Sequence, residues 1–159
     1  MFTRLKHLLM RCFAYEASPA RLAFTCALAI YIAFSPFFGF HTLMVIAAGF
    51  LLNLNVPLMI LVSYGINNPF TMIPIYLSGY YVGHVMLHSW LGFGIAQANP
   101  AWMDAINLFL QTHLGLVEIS LWAFFIGGNI LGLVLAGIAY VILLPLFIKL
   151  ANPPYSHKG

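Results

Sequence analysis

The sequence predicts an all-α integral membrane protein assembled from short, broken helices. Three observations carry that expectation. The 159-residue chain is 63% hydrophobic and only 6% charged, against about 25% charged residues in soluble domains. No Asp, Glu, Lys or Arg occurs between Leu22 and Met103, and no water-facing surface can be built from such a stretch. Proline, glycine and asparagine interrupt the apolar block so often that most of its helices fall short of the thickness of a bilayer. The mean hydropathy is +0.98, and the length suits one membrane domain, residues 1–159.

The placement of charge supplies an orientation. Arg4, Lys6, Arg11 and Arg21 precede the apolar block, and Lys149 and Lys158 follow it. This positive-inside distribution predicts a multi-pass protein with both termini in the cytoplasm and an even number of crossings. Because the basic residues sit only at the ends, their excess does not speak for nucleic acid. Asp104 and Glu118 fall in the polar interior stretch "AQANPAWMDAINLFLQTHLGLVE", which lacks Lys and Arg and is expected to be the outer loop. Cys12 and Cys26 lie near the cytoplasmic end and read as packing residues, not as a disulfide. The first apolar run is short enough for a signal-peptide core. No clean small-x-small site follows it, so it is read as retained.

The elements follow in order. In residues 1–15, Phe2, Leu5, Leu8, Leu9 and Phe13 recur at helical spacing, with Arg4, Lys6, His7 and Arg11 between them. That pattern fits an interfacial helix on an anionic leaflet, or a charged leader that sets topology. Ser18 and Pro19 then open a helix as N-cap and first helical residue. A first helix pair covers about 20–34 and 40–52, separated by "SPFFGFH" and closed by "NLNVP". At about 15 residues and 1.5 Å each, these helices cover roughly 22 Å, short of the roughly 30 Å of hydrocarbon. A re-entrant hairpin and two thin tilted spans both fit. A second pair covers about 57–66 and 69–90, the latter long enough to span. The outer loop, 91–118, holds an amphipathic helix from Trp102 to Thr112, and a long transmembrane helix over about 119–149 returns the chain. Residues 18–90 form the core of the domain.

The two breaks resemble each other. "SPFFGFHTL" starts at Ser35 and "NPFTMIPIY" at Asn68, each reading cap residue, proline, phenylalanine, with Pro36 and Pro69 separated by 33 positions. A cap followed by proline is how a helix starts. Both helices are therefore expected to begin at membrane depth, in an arrangement that an internal repeat would explain. Their first N–H groups carry partial positive charge, and in hydrocarbon each costs several kcal/mol unless satisfied. Asn68 can satisfy one or two, while Asn67, Ser63 and Thr71 add further polar groups. The candidate polar site, or set of helix caps, is thus Ser35, Pro36, His41, Ser63, Asn67, Asn68, Pro69 and Thr71. Two readings stand: a self-contained polar plug, or a midplane site for a lipid headgroup, a small solute or water.

Other patterns read more plainly. Gly79 and Gly83, and likewise Gly128 and Gly132, are small residues four apart, as close helix packing requires. Asn129 lies inside the second of these motifs and could bond across to Tyr80 or Tyr81, or to the amide cluster. His84 and His88 stand at i and i+4, but no third and fourth ligand follows from the sequence, so no metal or other cofactor is expected. There is no carboxylate pair, no Ser-His-acid order at a usable spacing and no phosphate loop, so the chain reads as not an enzyme.

These residues resemble a known family. The segment "AFSPFFGFHTLMVIAAGFLLNLNVPLMILVSYGINNPFTMIPIYLSGYYVGH" is similar to the uncharacterised bacterial membrane family called domain of unknown function twenty-sixty-two. The likeness rests on Pro36, Gly39 and His41, then Asn53, Asn55 and Pro57, then Asn68, Pro69, Thr71, Pro74 and Tyr76. It covers about residues 18–90 and leaves the N-terminal helix, the outer loop and the last helix outside. Some members carry Arg or Gly where Asn53 and Ser35 stand here. The resemblance implies a location in the bacterial inner membrane and a partner, a larger AsmA-like periplasmic protein of the kind that conducts lipids between membranes. The expected function is then an accessory or docking subunit for envelope lipid handling, in contact with membrane lipids. The alternative is a small-solute transporter or channel that acts as a homo-oligomer.

Overall fold

The computed structural model describes residues 18–37, 39–89, 99–114 and 119–151. The expected interfacial helix at 1–15 lies outside the described residues. Every regular element among them is an α-helix: α1 Pro19–Phe34, α2 His41–Leu51, α3 Val56–Ile66, α4 Pro69–Ser89, α5 Ala101–Leu114 and α6 Leu121–Ala151.

The described chain divides into two compact units. The first comprises the residues up to Ala33, those of Phe37–Asn68 and those from Gly132 onward; the second comprises Phe34–Pro36 and Pro69–Leu131. In the first unit, Ser18 accepts a hydrogen bond on its hydroxyl from the Arg21 N–H at 3.3 Å. Pro19 stands at the first helical position, where a missing N–H costs nothing. Successive turns of α1 feed two apolar cores. Leu22, Ala23 and Cys26 meet Leu58 of α3 and Phe147 of α6. Ala29 and Ile32 meet Val45 of α2, then Leu54 and Met59.

Helices α2 and α3 form an antiparallel hairpin whose closed end is built from the "NLNVP" stretch. Asn53 takes the left-handed conformation, with φ +52°. Its N–H reaches the Phe50 carbonyl at 3.4 Å, and the Leu54 N–H reaches the Gly49 carbonyl at 2.8 Å. This pair of bonds is the Schellman motif, and Asn is one of the few residues that tolerates its left-handed position. Two residues later the Asn55 side chain accepts from the Leu58 N–H at 3.0 Å and caps α3. Arg21 donates to the carbonyls of Leu52 and Asn53, placing a cation at the negative end of α2. A Cβ at Gly49 would overlap the Val56 side chain, so glycine there lets α2 and α3 approach closely beside the turn.

Asn55 is 2% exposed, and its loss leaves a buried donor without its cap. Asn55→Ala is expected to lower stability by about 1 kcal/mol, within the range of roughly 0.5–2 kcal/mol for such caps. Thermal unfolding followed by circular dichroism measures this. An unchanged midpoint would remove Asn55 from the account of the hairpin.

Among the described residues one helix, α6, is long and apolar enough to cross a membrane. A second candidate is the pair Val56–Ile66 and Pro69–His88 taken together, bent by 79° at the break between them. Helix α4, expected to suffice for a span by itself, therefore counts only jointly with α3. Helices α1 and α2, of 16 and 11 residues, are apolar but shorter.

Candidate functional site

The polar residues picked out in the sequence fall in both units. His41, Ser63, Asn67 and Asn68 belong to the first, and Ser35, Pro36, Pro69 and Thr71 to the second.

In the first unit the polar groups gather at the open end of the α2/α3 hairpin. The Thr42 and Tyr64 hydroxyls lie 2.6 Å apart and tie the start of α2 to the end of α3. Ser63 is buried at 2% exposure. Asn67 is the C-cap of α3, and its N–H donates to the Ser63 carbonyl at 2.8 Å. Asn68 donates from its side-chain amide to the Gly65 carbonyl at 3.1 Å. Asn68, expected to face forward onto the start of α4, reaches backward here and satisfies an orphan carbonyl of α3. His41 is the first residue of α2 and half-buried. The end of α3 offers amide and hydroxyl groups able to exchange hydrogen bonds with a neutral polar ligand.

In the second unit Pro69 is the first residue of α4 and Thr71 lies in its first turn, half-buried. Ser35 and Pro36 are buried and belong to no helix. This corrects the expectation that Pro36 opens one. Helix α2 starts at His41, with Phe40 before it and no side-chain cap. The reason lies in the intervening turn: Gly39 has φ +77°, and the Phe40 N–H closes onto the Phe37 carbonyl at 3.2 Å. A chain that must pass through a left-handed residue cannot run helically from Pro36. The two breaks share a proline and a phenylalanine after a cap-type residue but not one conformation, which removes the structural basis for an internal repeat. Pro36 packs instead: a Cβ at Gly128 would lie 3.3 Å from the Pro36 ring and 3.0 Å from the Phe34 carbonyl oxygen.

The glycines of α4 meet those of α6 within the same unit. A Cβ at Gly79 would lie 3.2 Å from the Gly128 Cα, and one at Gly83 would overlap the backbone of Ala123. The face of α6 that meets α4 is therefore Ala123, Gly127 and Gly128. Gly132, paired with Gly128 by spacing, is buried in the first unit. Tyr76 of α4 and Phe124 of α6 add a ring contact at 5.5 Å between centroids. Asn129 donates to the Phe125 carbonyl of its own helix at 2.8 Å.

A further polar cluster escaped the sequence reading. Asn107 of α5 grips Ile119 from both sides, donating to its carbonyl and accepting from its N–H, each at 3.0 Å. Asn99 donates to the same carbonyl at 3.1 Å and accepts from the Leu121 N–H at 3.0 Å. Ser120 accepts from the Ala123 N–H at 3.3 Å as the cap of α6. The signal was present: Asn107 lies one turn after Met103 and shares its buried face of α5, where a lone amide must find a partner.

The first unit also contains an apolar groove of about 400 Å³ between α1 and α6. Phe24, Ala27, Leu28 and Tyr31 form one wall, and Leu133, Ala136, Gly137 and Tyr140 the other. Each wall follows the i, i+3, i+4, i+7 spacing of one helix face.

A family model described as an uncharacterized protein conserved in bacteria, DUF2062, matches residues 3–152. The chain belongs to this family. The match corrects the narrower extent expected from the motifs: α5 and α6 lie inside the family region along with residues 18–90. No curated protein and no solved structure matches the chain.

Proposed function

We propose that this chain is a multi-pass protein of the bacterial inner membrane, with both termini cytoplasmic, that serves as an accessory subunit for envelope lipid handling. The observation that carries the membrane part of the reading is the state of α6. Its most apolar 18-residue window is only 11% buried, and Leu133, Val134, Ile138, Val141, Ile142 and Leu146 stand exposed along it. A core helix of a soluble protein would hide such residues. An exposed apolar helix about 46 Å long, at 1.5 Å per residue, matches hydrocarbon as its solvent. Phe50, Leu51 and Phe70, at 74%, 81% and 91% exposure, extend the same argument to α2 and α4.

The lipid part rests on the groove between α1 and α6. Its walls present aliphatic and aromatic groups, and its volume falls within the roughly 300–1,000 Å³ of ligand sites. The polar end of α3 supplies hydrogen-bonding groups of the kind a headgroup uses. The family resemblance adds the partner, a larger AsmA-like periplasmic protein.

Crosslinking and co-purification from native membranes, with mass spectrometry of proteins and lipids, test this reading. The expected result is a larger envelope protein and bound phospholipid, with recovery of the partner reduced by Asn68→Ala. Solute flux by the purified protein alone in liposomes, with no partner recovered, overturns it in favour of a homo-oligomeric transporter.

A further inference from the structure

Near the end of α4, two imidazoles stand side by side. His84 and His88 occupy one face of the helix, with ring centroids 4.3 Å apart and an interplanar angle of 36°. Both are exposed and lie in the last two turns of α4, at the end of the candidate span. Tyr80, one turn earlier, lies 6.0 Å from the His84 ring. The segment of α6 that packs against α4 in this unit, 121–131, contains no charged residue. No Lys or Arg occurs anywhere between Arg21 and Lys149, so no neighbouring ammonium or guanidinium on that stretch competes with a bound cation.

We propose that His84 and His88 form a two-imidazole chelate for a divalent transition ion of the copper, nickel or zinc type. Residues four apart on a helix face each other, and a small rotation of two such rings can point one nitrogen of each at a shared ion, at about 2.0–2.1 Å for zinc. Imidazole selects these ions over magnesium and calcium, which require oxygen donors. Among the described residues no third His, Cys, Asp or Glu joins the pair. The remaining coordination positions are filled by water or by an external donor, which makes the site open and exchangeable. Closing a chelate across one turn also holds the last turn of α4 in helical form.

The test uses the full chain purified in detergent and titrated calorimetrically with Cu²⁺, Ni²⁺, Zn²⁺ and, as a contrast, Mg²⁺. Saturable binding of one Cu²⁺ per chain is expected, with Mg²⁺ silent. His84→Ala and His88→Ala should each weaken Cu²⁺ binding at least tenfold. The double variant should be little worse than either single one, because one chelate is lost in all three. Both positions are exposed, so the variants are expected to keep their helical circular dichroism, and His113→Ala serves as the control that leaves binding intact. Absence of Cu²⁺ binding, or equal binding by wild type and both single variants, overturns the proposal.

Discussion

Gly83→Ala is expected to disrupt the packing of α4 on α6 more than any other single-methyl change considered. The added Cβ would lie 2.6 Å from the Ala123 carbonyl carbon and 2.9 Å from the Gly127 nitrogen. Both are backbone atoms, so no side chain can rotate aside and the helices must separate. Overpacking of this kind costs about 1–3 kcal/mol, and rigid backbone on the opposing side argues for the upper end. The sign is diagnostic, because glycine to alanine in an unconstrained helix is favourable by roughly 0.5–1 kcal/mol. Gly65 and Gly137 supply the comparison: a Cβ at either meets nothing within 4 Å. Gly65→Ala and Gly137→Ala should hold or raise the unfolding temperature, while Gly83→Ala lowers it. If all three behave alike in thermal unfolding of the detergent-purified protein, the close approach of α4 and α6 is wrong.

Asn107→Leu should have the second large effect. Leucine keeps the branched four-atom outline of asparagine but cannot hydrogen-bond and is bulkier, so the change removes the hydrogen bonds and adds some overpacking. At 4% exposure, Asn107 holds both the N–H and the carbonyl of Ile119. The carbonyl keeps its second donor from Asn99, but the N–H loses its amide partner. An orphaned buried group costs about 1–3 kcal/mol. Asn107→Asp keeps an acceptor for that N–H but sets its second oxygen against the Ile119 carbonyl, so it should also fall below wild type. Because Asn99 and Asn107 share one carbonyl, the double substitution should cost more than the two single costs added together. Amide hydrogen exchange at Ile119 and Leu121, read alongside thermal unfolding, tests the point. Retained protection at Ile119 in Asn107→Leu would show that the clamp contributes nothing.

The polar break shows where reading the letters succeeds and where it fails. At Asn68-Pro69 a helix does begin at the proline, as expected, while the Asn68 amide donates back to the Gly65 carbonyl. At Ser35-Pro36, a cap-type residue and a proline likewise precede a phenylalanine, but a glycine stands three positions after the proline. The left-handed Gly39 turns the chain before any helix can start. The "NLNVP" stretch was legible as a stop and not as a start, since one asparagine takes the left-handed position and the other caps α3. Two identical residues with opposite duties, two positions apart, are separated only by their backbone angles.

Composition and period alone determined that this chain is helical, that its apolar block is divided into short pieces, and roughly where each piece begins and ends. Those properties are local: they depend on proline, glycine and hydrophobic spacing within one or two turns. Tertiary structure decided which small residues touch, that Arg21 closes the α2/α3 turn, and that Asn99 and Asn107 hold the start of α6. Each of those contacts joins residues far apart in sequence, and a one-dimensional pattern has no term for distance in space.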